Sequence, residues 1–403
     1  MKRWKKLLLI LLIFLLFSQI PFAYRRYKLG RLSAAIQQVN SQSAVSPDNS
    51  EFVEYKGVVH VHSFLGGHSR GNFEEIIAGA KSNQLSFVVM TEHTSENFNT
   101  AALTLKGIHA GILFINGNEV STNNADRLLL LPGDEATDIG SGLSAQQLLS
   151  QEKPKGLLAF VAYPQDFRSW EADGYDGVEV YNVYTNARQI NPLVMFFDGL
   201  WSYRSYPDLL FANFYRRPTE NLKKWDEALA RTGKKLTALA GNDAHSNVGI
   251  TLISQSGETL VGMKLDPYKR SFHLVRVHVL VPKNKALDSD SLLEAIASGH
   301  CFIGFDLFSE TRGFSFSAST ETESKIQGDE IFLEREVRLE VNAPVASRIV
   351  LLKDGNTIRD ETGVRKDFRV TDKGVYRVEV YLPQLPEPVG QQPWIISNPI
   401  YVR

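Results

Sequence analysis

The chain has 403 residues, of which 43% are hydrophobic and 22% charged, with a formal net charge of −1. That length exceeds one ordinary domain and can bury a large core, while the charge balance excludes the global basic field that draws nucleic acid. The single cysteine, Cys301, excludes a disulfide framework and a cysteine-based zinc site, so any metal must be held by His, Asp and Glu.

The first element is a basic start (Lys2, Arg3, Lys5, Lys6) followed by an apolar run from Leu7 to Phe17 that continues through Ile20 and Phe22 to Ala23. Arg25, Arg26 and Lys28 follow. The pattern reads as an export signal or a membrane anchor. Pro21 and Phe22 crowd the small residue Ala23, which favours an uncleaved transmembrane helix over residues 1–28. The cations favour an N-in orientation, with the globular part outside the cytoplasm. A cleaved segment would instead leave the protein secreted. Residues 29–52 read as a linker, rich in Gln, Asn, Ser and Pro towards its end.

Beyond it, apolar runs alternate with helical patterns. Val58-Val59-His60-Val61-His62-Ser63 reads as a strand, Phe73-Glu74-Glu75-Ile76-Ile77-Ala78-Gly79-Ala80 as a helix and Leu85-Ser86-Phe87-Val88-Val89-Met90 as a buried strand. Strands are expected again over residues 112–115, 128–131, 157–162, 177–181, 236–240 and 275–281, and helices over 144–150, 218–231 and 289–297. This rhythm predicts parallel strands with helices around them over residues 53–307, and seven or eight such units favour an α/β barrel over an open sheet. Residues 183–216, rich in Tyr, Phe, Asn and Arg, read as a helical insertion. Trp201, Tyr203, Tyr206, Phe211, Phe214 and Tyr215 make it a packed insertion core or a lid. From residue 308 to 403, short alternating runs and the turn Lys353-Asp354-Gly355-Asn356 predict a small C-terminal all-β sandwich domain.

The ionisable residues fall at the ends of these strands. In a strand, residues two apart share a face, so His60 and His62 offer two imidazoles from one rigid support. His68 follows in a Gly-rich loop, His93 in Thr91-Glu92-His93-Thr94, Glu119 in Asn116-Gly117-Asn118-Glu119, and Asp243 and His245 in Gly241-Asn242-Asp243-Ala244-His245-Ser246. Seven convergent ligands of this chemistry point to two divalent ions, Zn, Mn or Fe. His109, His273, His278 and His300 have no such context.

Taken together and in this order, the His-x-His-Ser, Thr-Glu-His, Gly-Asn-Glu and Gly-Asn-Asp-Ala-His-Ser segments resemble the PHP (polymerase and histidinol phosphatase) superfamily over residues 53 to about 306. The ending Pro393-Trp394-Ile395-Ile396-Ser397-Asn398-Pro399 is similar to members with a C-terminal β-sandwich. The resemblance implies a (β/α)7 barrel of TIM-like kind and hydrolysis, most often of phosphate esters. It implies that His60, His62, Glu119 and Asp243 hold one ion, and that His68, His93 and His245 hold another. The family's third ion is held partly by the histidine of an Ala-His-Pro motif, which here reads Ala162-Tyr163-Pro164. A further family histidine near residues 128–131 is also missing, with only Asp126 and Asp134 nearby, so two ions are expected, with Tyr163 lining the pocket.

The function expected from the sequence is a membrane-anchored, metal-dependent phosphoesterase. Asp243 would orient the attacking water or take its proton, and Arg70, Arg168 or Arg217 would meet an anionic small-molecule or polymer substrate, Arg70 first. Two alternatives stand beside it: a metallohydrolase of non-phosphate esters, and an envelope binding protein that keeps its metals for structure.

Overall fold

The computed structural model describes residues 3–42, 51–133, 142–150, 156–253 and 259–403, with the backbone alone for 249–253 and 259–263. One helix, α1 (Arg3–Ser41), takes in the apolar segment and runs on through the residues expected to be linker. Its first half is long and apolar enough to cross a membrane. Its second half carries Leu29, Leu32, Ile36 and Val39 at helical spacing, and Leu32 and Val39 are buried in the protein core. That stripe is why the chain stays helical past the cations.

The strands that build the site come next: β1 (Phe52–Val61), β2 (Phe87–Met90), β3 (Glu92–His93), β4 (Gly107–His109), β5 (Ile112–Ile115), β6 (Asn118–Ser121), β7 (Arg127–Leu131), β8 (Leu158–Ala162), β9 (Gly177–Asn182) and β10 (Thr237–Ala244). β11 (Gly249–Ile253) and β12 (Thr259–Lys264) form a separate antiparallel pair. They are followed by β13 (Arg276–Pro282), β14 (Cys301–Gly304), β15 (Ser315–Ser319), β16 (Ser324–Ile326), β17 (Glu330–Ile331), β18 (Val337–Lys353), β19 (Asn356–Val370), β20 (Gly374–Tyr381), β21 (Pro393–Ser397) and β22 (Ile400–Val402).

This architecture corrects the expected (β/α)7 barrel with a detached sandwich. Among the described residues, all strands except β11 and β12 join one mixed sheet of twenty strands. β1 lies parallel to β2 and β10, and β9 parallel to β8 and β10. β7, however, runs antiparallel to both neighbours, β6 and β8. The reason lies in the connection: β6 and β7 are joined by a short turn over residues 122–126 with no helix between them, so the chain reverses instead of crossing over. The C-terminal strands are also not a separate layer. β13 pairs antiparallel with β1, β14 with β13, and β21 with β14, which carries the hydrogen bonding from the site strands into the last hundred residues.

The core has two sides here. Val59, Phe87, Val89, Leu129, Phe160 and Leu239 pack on one. Val58, Val61, Ile76, Phe114 and Phe272 pack on the other, beneath the helices Phe73–Ser82 and Tyr268–Leu274. Each fully buried Val or Phe contributes about 1.5–3 kcal/mol, which fixes the strands that carry the polar residues described next.

Candidate metal centre

Val58 and Val61 sit on the same side of β1, which strict alternation forbids. The parity changes at His60. There the register slips against both β2 and β10, between Val59 and Val61, and His60 adopts a left-handed φ of 67°. The bulge matters for chemistry. Without it His62 would share the side of Val58, under the helices. With it, His62 turns to the side of Val59, and the His60 and His62 rings converge at 5.0 Å. Two further residues of the cluster, Tyr163 and Asp243, also hold left-handed φ, 48° and 47°. Such backbone costs about 1–3 kcal/mol per residue and persists only where the surroundings enforce it.

The ends of β1, β3, β6 and β10 bring His60, His62, His93, Glu119, Asp243 and His245 together. Glu119 Oε2 lies 3.3 Å from His60 Nε2, 3.4 Å from His62 Nε2 and 3.5 Å from His93 Nδ1. Asp243 Oδ1 lies 3.5 Å from His60 Nε2, 3.4 Å from His62 Nε2 and 3.4 Å from His245 Nδ1. Donors at the corners of a tetrahedron around an ion bound at about 2.0–2.1 Å stand about 3.3–3.4 Å apart. The spacings between the two carboxylates and the His60 and His62 nitrogens match that edge. His62, His93 and His245 form a second close grouping of possible ligand atoms.

The hydrogen bonds leave the right atoms free. Both ring nitrogens of His62 and Asp243 Oδ1 are buried without a hydrogen-bond partner, a state that costs about 1–3 kcal/mol per group unless a ligand satisfies it. Asp243 Oδ2, by contrast, accepts from the Tyr163 hydroxyl at 2.7 Å and from Asn182 Nδ2 at 3.3 Å. His60 Nδ1 lies 2.5 Å from Glu179 Oε1, an arrangement that orients the ring and turns Nε2 towards Glu119 and Asp243. His245 Nδ1 lies 2.8 Å from the Asp243 carbonyl, which can only accept, so that nitrogen is the donor.

Electrostatics agree with a cation site. Burial pushes His62 down to about 4 and His93 down to about 3, so both are neutral imidazoles at pH 7. Burial opposes charge on Glu119, but His60 and His62 outweigh it and hold it at about 2. Against the same burial, His60 and His62 keep Asp243 well below the usual carboxylate range. Burial also works against a charge on His60, yet Glu179, Asp243 and Glu119 raise it well above the usual imidazole range. A proton on His60 Nε2 and a divalent cation are therefore alternatives for the same pair of carboxylates. The donor set, its spacing and its unpartnered atoms fit a divalent ion.

The other expected residues are placed differently. His68 is exposed, its ring 5.0 Å edge-on to that of His93, outside both close groupings. Arg70 and Arg168 are exposed, and their backbone N–H groups bond Asn247 and Asp126. Arg217 is bound by Glu379, away from the cluster. Asp126 accepts the N–H groups of Arg168 and Ser169, and Asp134 lies outside the described residues. The pocket of about 630 Å³ over the cluster is lined instead by Arg127 and Arg188, with His68, Tyr163 and Tyr184. Arg127 Nη1 donates to Glu119 Oε1 at 2.8 Å and lies 3.4 Å from His93 Nδ1.

Sequence reasoning missed Arg127 and Glu179. The signal for Glu179 was a carboxylate in the middle of the apolar run Gly177-Val178-Glu179-Val180-Tyr181, where burial without a partner is prohibitive. For Arg127 it was a cation opening an otherwise all-leucine strand. Glu92, in the Thr-Glu-His motif, is no ligand here. It accepts the Ser63 N–H and the Thr104 hydroxyl, and burial raises its pKa.

No protein-family profile and no curated protein sequence matches the chain. Among solved structures it is similar to the crystal structure of PsfC from Pseudomonas syringae PB-5123, with 14% identity and a TM-score of 0.33, over 60% of this chain and 87% of that one.

Proposed function

We propose that this chain is a metal-dependent hydrolase of ester bonds, phosphoric esters first, related to the PHP superfamily. The observation that carries the reading is the convergence of Glu119 Oε2 and Asp243 Oδ1 on His60 and His62 at tetrahedral spacing, with the His62 nitrogens and Asp243 Oδ1 unpartnered. The motif resemblance supports the same reaction class. His60, His62, Glu119 and Asp243 hold one divalent ion, and His93 and His245 contribute to a second. Bound ions of this kind supply Lewis acidity and bring the pKa of a coordinated water into the neutral range.

The chain's own residues do the rest. Glu179 fixes the His60 ring. Tyr163, whose phenol burial and Asp243 keep protonated, donates to Asp243 Oδ2 and leaves Oδ1 to face the site. Asp243 stays ionised and orients the attacking water. Arg127 and Arg188 give the pocket the positive charge that an anionic ester needs. The N-terminal helix anchors the protein, with this pocket outside the cytoplasm.

Metal analysis of the purified full-length chain, with assays on aryl phosphates and aryl acetates, tests the reading. We expect more than one bound ion per chain, aryl phosphate cleavage, and loss of both in the His60→Ala/Asp243→Ala double variant. Cleavage that survives the double variant places the chemistry elsewhere. Cleavage of acetate but not phosphate makes the chain a non-phosphate esterase.

A further inference from the structure

After α2 (Phe73–Ser82), α3 (Thr100–Leu103), α4 (Ala145–Ser150) and α5 (Val183–Arg188), the helix α6 (Pro192–Ser202) turns an apolar stripe to solvent. Leu193, Phe196 and Leu200 are 69%, 52% and 70% exposed, at spacings of three and four residues on one face. Isolated exposed apolar residues need no explanation, but three on one short helix beside a candidate membrane span do.

The span fixes where this helix sits. From Trp4 to Gln19 the N-terminal helix rises about 24 Å at 1.5 Å per residue, most of a bilayer's hydrocarbon thickness. Contact with the body of the protein begins where that length ends, and it is made by α6. Trp201 Nε1 donates to Gln19 at 3.0 Å, the Phe22 and Phe197 rings lie 4.8 Å apart, and Arg25 holds Asp198 through both Nε and Nη2. Arg26 donates to the Trp201 carbonyl and to Ser205. Tyr24 and Tyr27 are exposed at the same level, as aromatic residues are at a membrane surface. The stripe of α6 is therefore held at the height of the bilayer interface.

The opposite side of α6 faces the metal centre. Met195 and Gly199 line an apolar cavity together with Val183, Phe211 and Phe214. Tyr184, Asp243, His245 and Asn247 line this cavity and also the charged pocket that contains Arg127 and Arg188. One continuous site thus has a cationic, metal-binding end and an apolar end roofed by an interfacial helix.

We infer that the substrate is a membrane lipid with a phosphoric ester in its headgroup, drawn from the leaflet on which α6 lies, with the first few methylenes of its apolar part in the cavity of about 110 Å³ under that helix. This rests on the hydrolase reading above. For a phosphate monoester lipid, water forms a new P–O bond as the P–O bond to the lipid oxygen breaks. The water proton ends on that oxygen, giving a free lipid hydroxyl and inorganic phosphate.

The test uses the full chain reconstituted into phosphatidylcholine vesicles doped with phosphatidate, with Mn²⁺ added and phosphate release measured, beside para-nitrophenyl phosphate in solution. Combined Leu193→Asp, Phe196→Asp and Leu200→Asp should slow phosphate release from vesicles by about tenfold or more, because three side chains lose their apolar seat. The same variant should cleave the soluble ester within about twofold of the parent, since none of the three touches the cluster. Independently of turnover, a fluorophore on Leu200→Cys should be quenched by brominated lipids and one on Thr357→Cys should not; Cys301 is buried and leaves the introduced thiol as the labelled one. Cleavage of the soluble ester with none of phosphatidate overturns the lipid assignment and leaves the hydrolase standing. An unquenched Leu200 label overturns the interfacial seat, and failure to cleave either ester overturns both readings.

Discussion

The cluster around His60 and His62 and the cluster around His278 and Asp306 are built from the same kinds of side chain, and each brings three possible ligands within 4.8 Å, all buried in the first and all but Glu310 buried in the second. Their hydrogen bonds separate them. His278 Nδ1 lies 2.7 Å from Glu54, and its Nε2 lies 2.9 Å from the Thr311 hydroxyl and 3.3 Å from Asp306. Asp306 also accepts from Arg276 and from the Thr311 N–H and O–H, and Glu310 is paired with Lys56. Both ring nitrogens of His278 and both oxygens of Asp306 are spent on the protein, whereas His62 and Asp243 Oδ1 are left open. Protonation differs in the same sense. Burial disfavours a charge on His278, but Asp306 and Glu54 outweigh it and raise it to about 9, an imidazolium without a lone pair. His62, at about 4, keeps one. Proximity of ligand atoms alone does not make a metal site; open, deprotonated donors do.

The sharpest way to break this comparison is to remove one histidine from each cluster. His62→Ala should lower bound metal by at least one ion per chain and hydrolysis by about a hundredfold or more, since even residues that only orient metal ligands cost 10–100-fold. His278→Ala should leave metal content unchanged. If it released metal instead, the contrast between open and closed donors would fail. Glu179→Gln comes next in size. It keeps the shape beside His60 and removes the charge that orients the ring, and should weaken metal affinity by about 10–100-fold, read by competition with a chelator. His278→Ala should register in stability, by about 3 kcal/mol or more in denaturant unfolding, because Asp306 and Glu54 lose a buried partner.

How much of this was legible depends on whether the signal was local. The strand-end positions of His60, His93 and Asp243 could be read from the apolar runs that precede them, whereas Glu119, expected after a strand, lies inside β6. The route by which His60 and His62 converge could not. Alternation accounts for two rings on one face, but the structure uses a bulge that no residue in Val59-His60-Val61 announces. The reversal at β7 was hidden because parallel and antiparallel strands share the same side-chain period. Glu179 was visible as an oddity, yet its partner His60 is 119 residues away. The continuation of the N-terminal helix, by contrast, was written in the spacing of Leu29, Leu32, Ile36 and Val39 and was masked by the polar residues between them.

The smallest effect should be a pH dependence that belongs to one cluster only. His278 lies on β13, between β1 and β14, and faces Glu54 from β1, Asp306 and Thr311 from the loop after β14, and the Phe302 ring stacked at 4.7 Å. Arg276 and Lys56 are the nearby cations, and each is engaged by Asp306 or Glu310. Its folded pKa of about 9 stands above the unfolded value, so the native state binds the extra proton. The stability it contributes is complete below about pH 6.5 and is lost as pH rises through about 9, up to about 3 kcal/mol across that window. Denaturant midpoints should therefore fall between about pH 6.5 and 9 in the parent, and His278→Gln, less stable throughout, should show a flatter profile there. An equal slope in the variant would mean that His278 is not charged in the folded chain. The two clusters would then differ in hydrogen bonding but not in protonation, and the open atoms of His62 and Asp243 alone would have to carry the distinction.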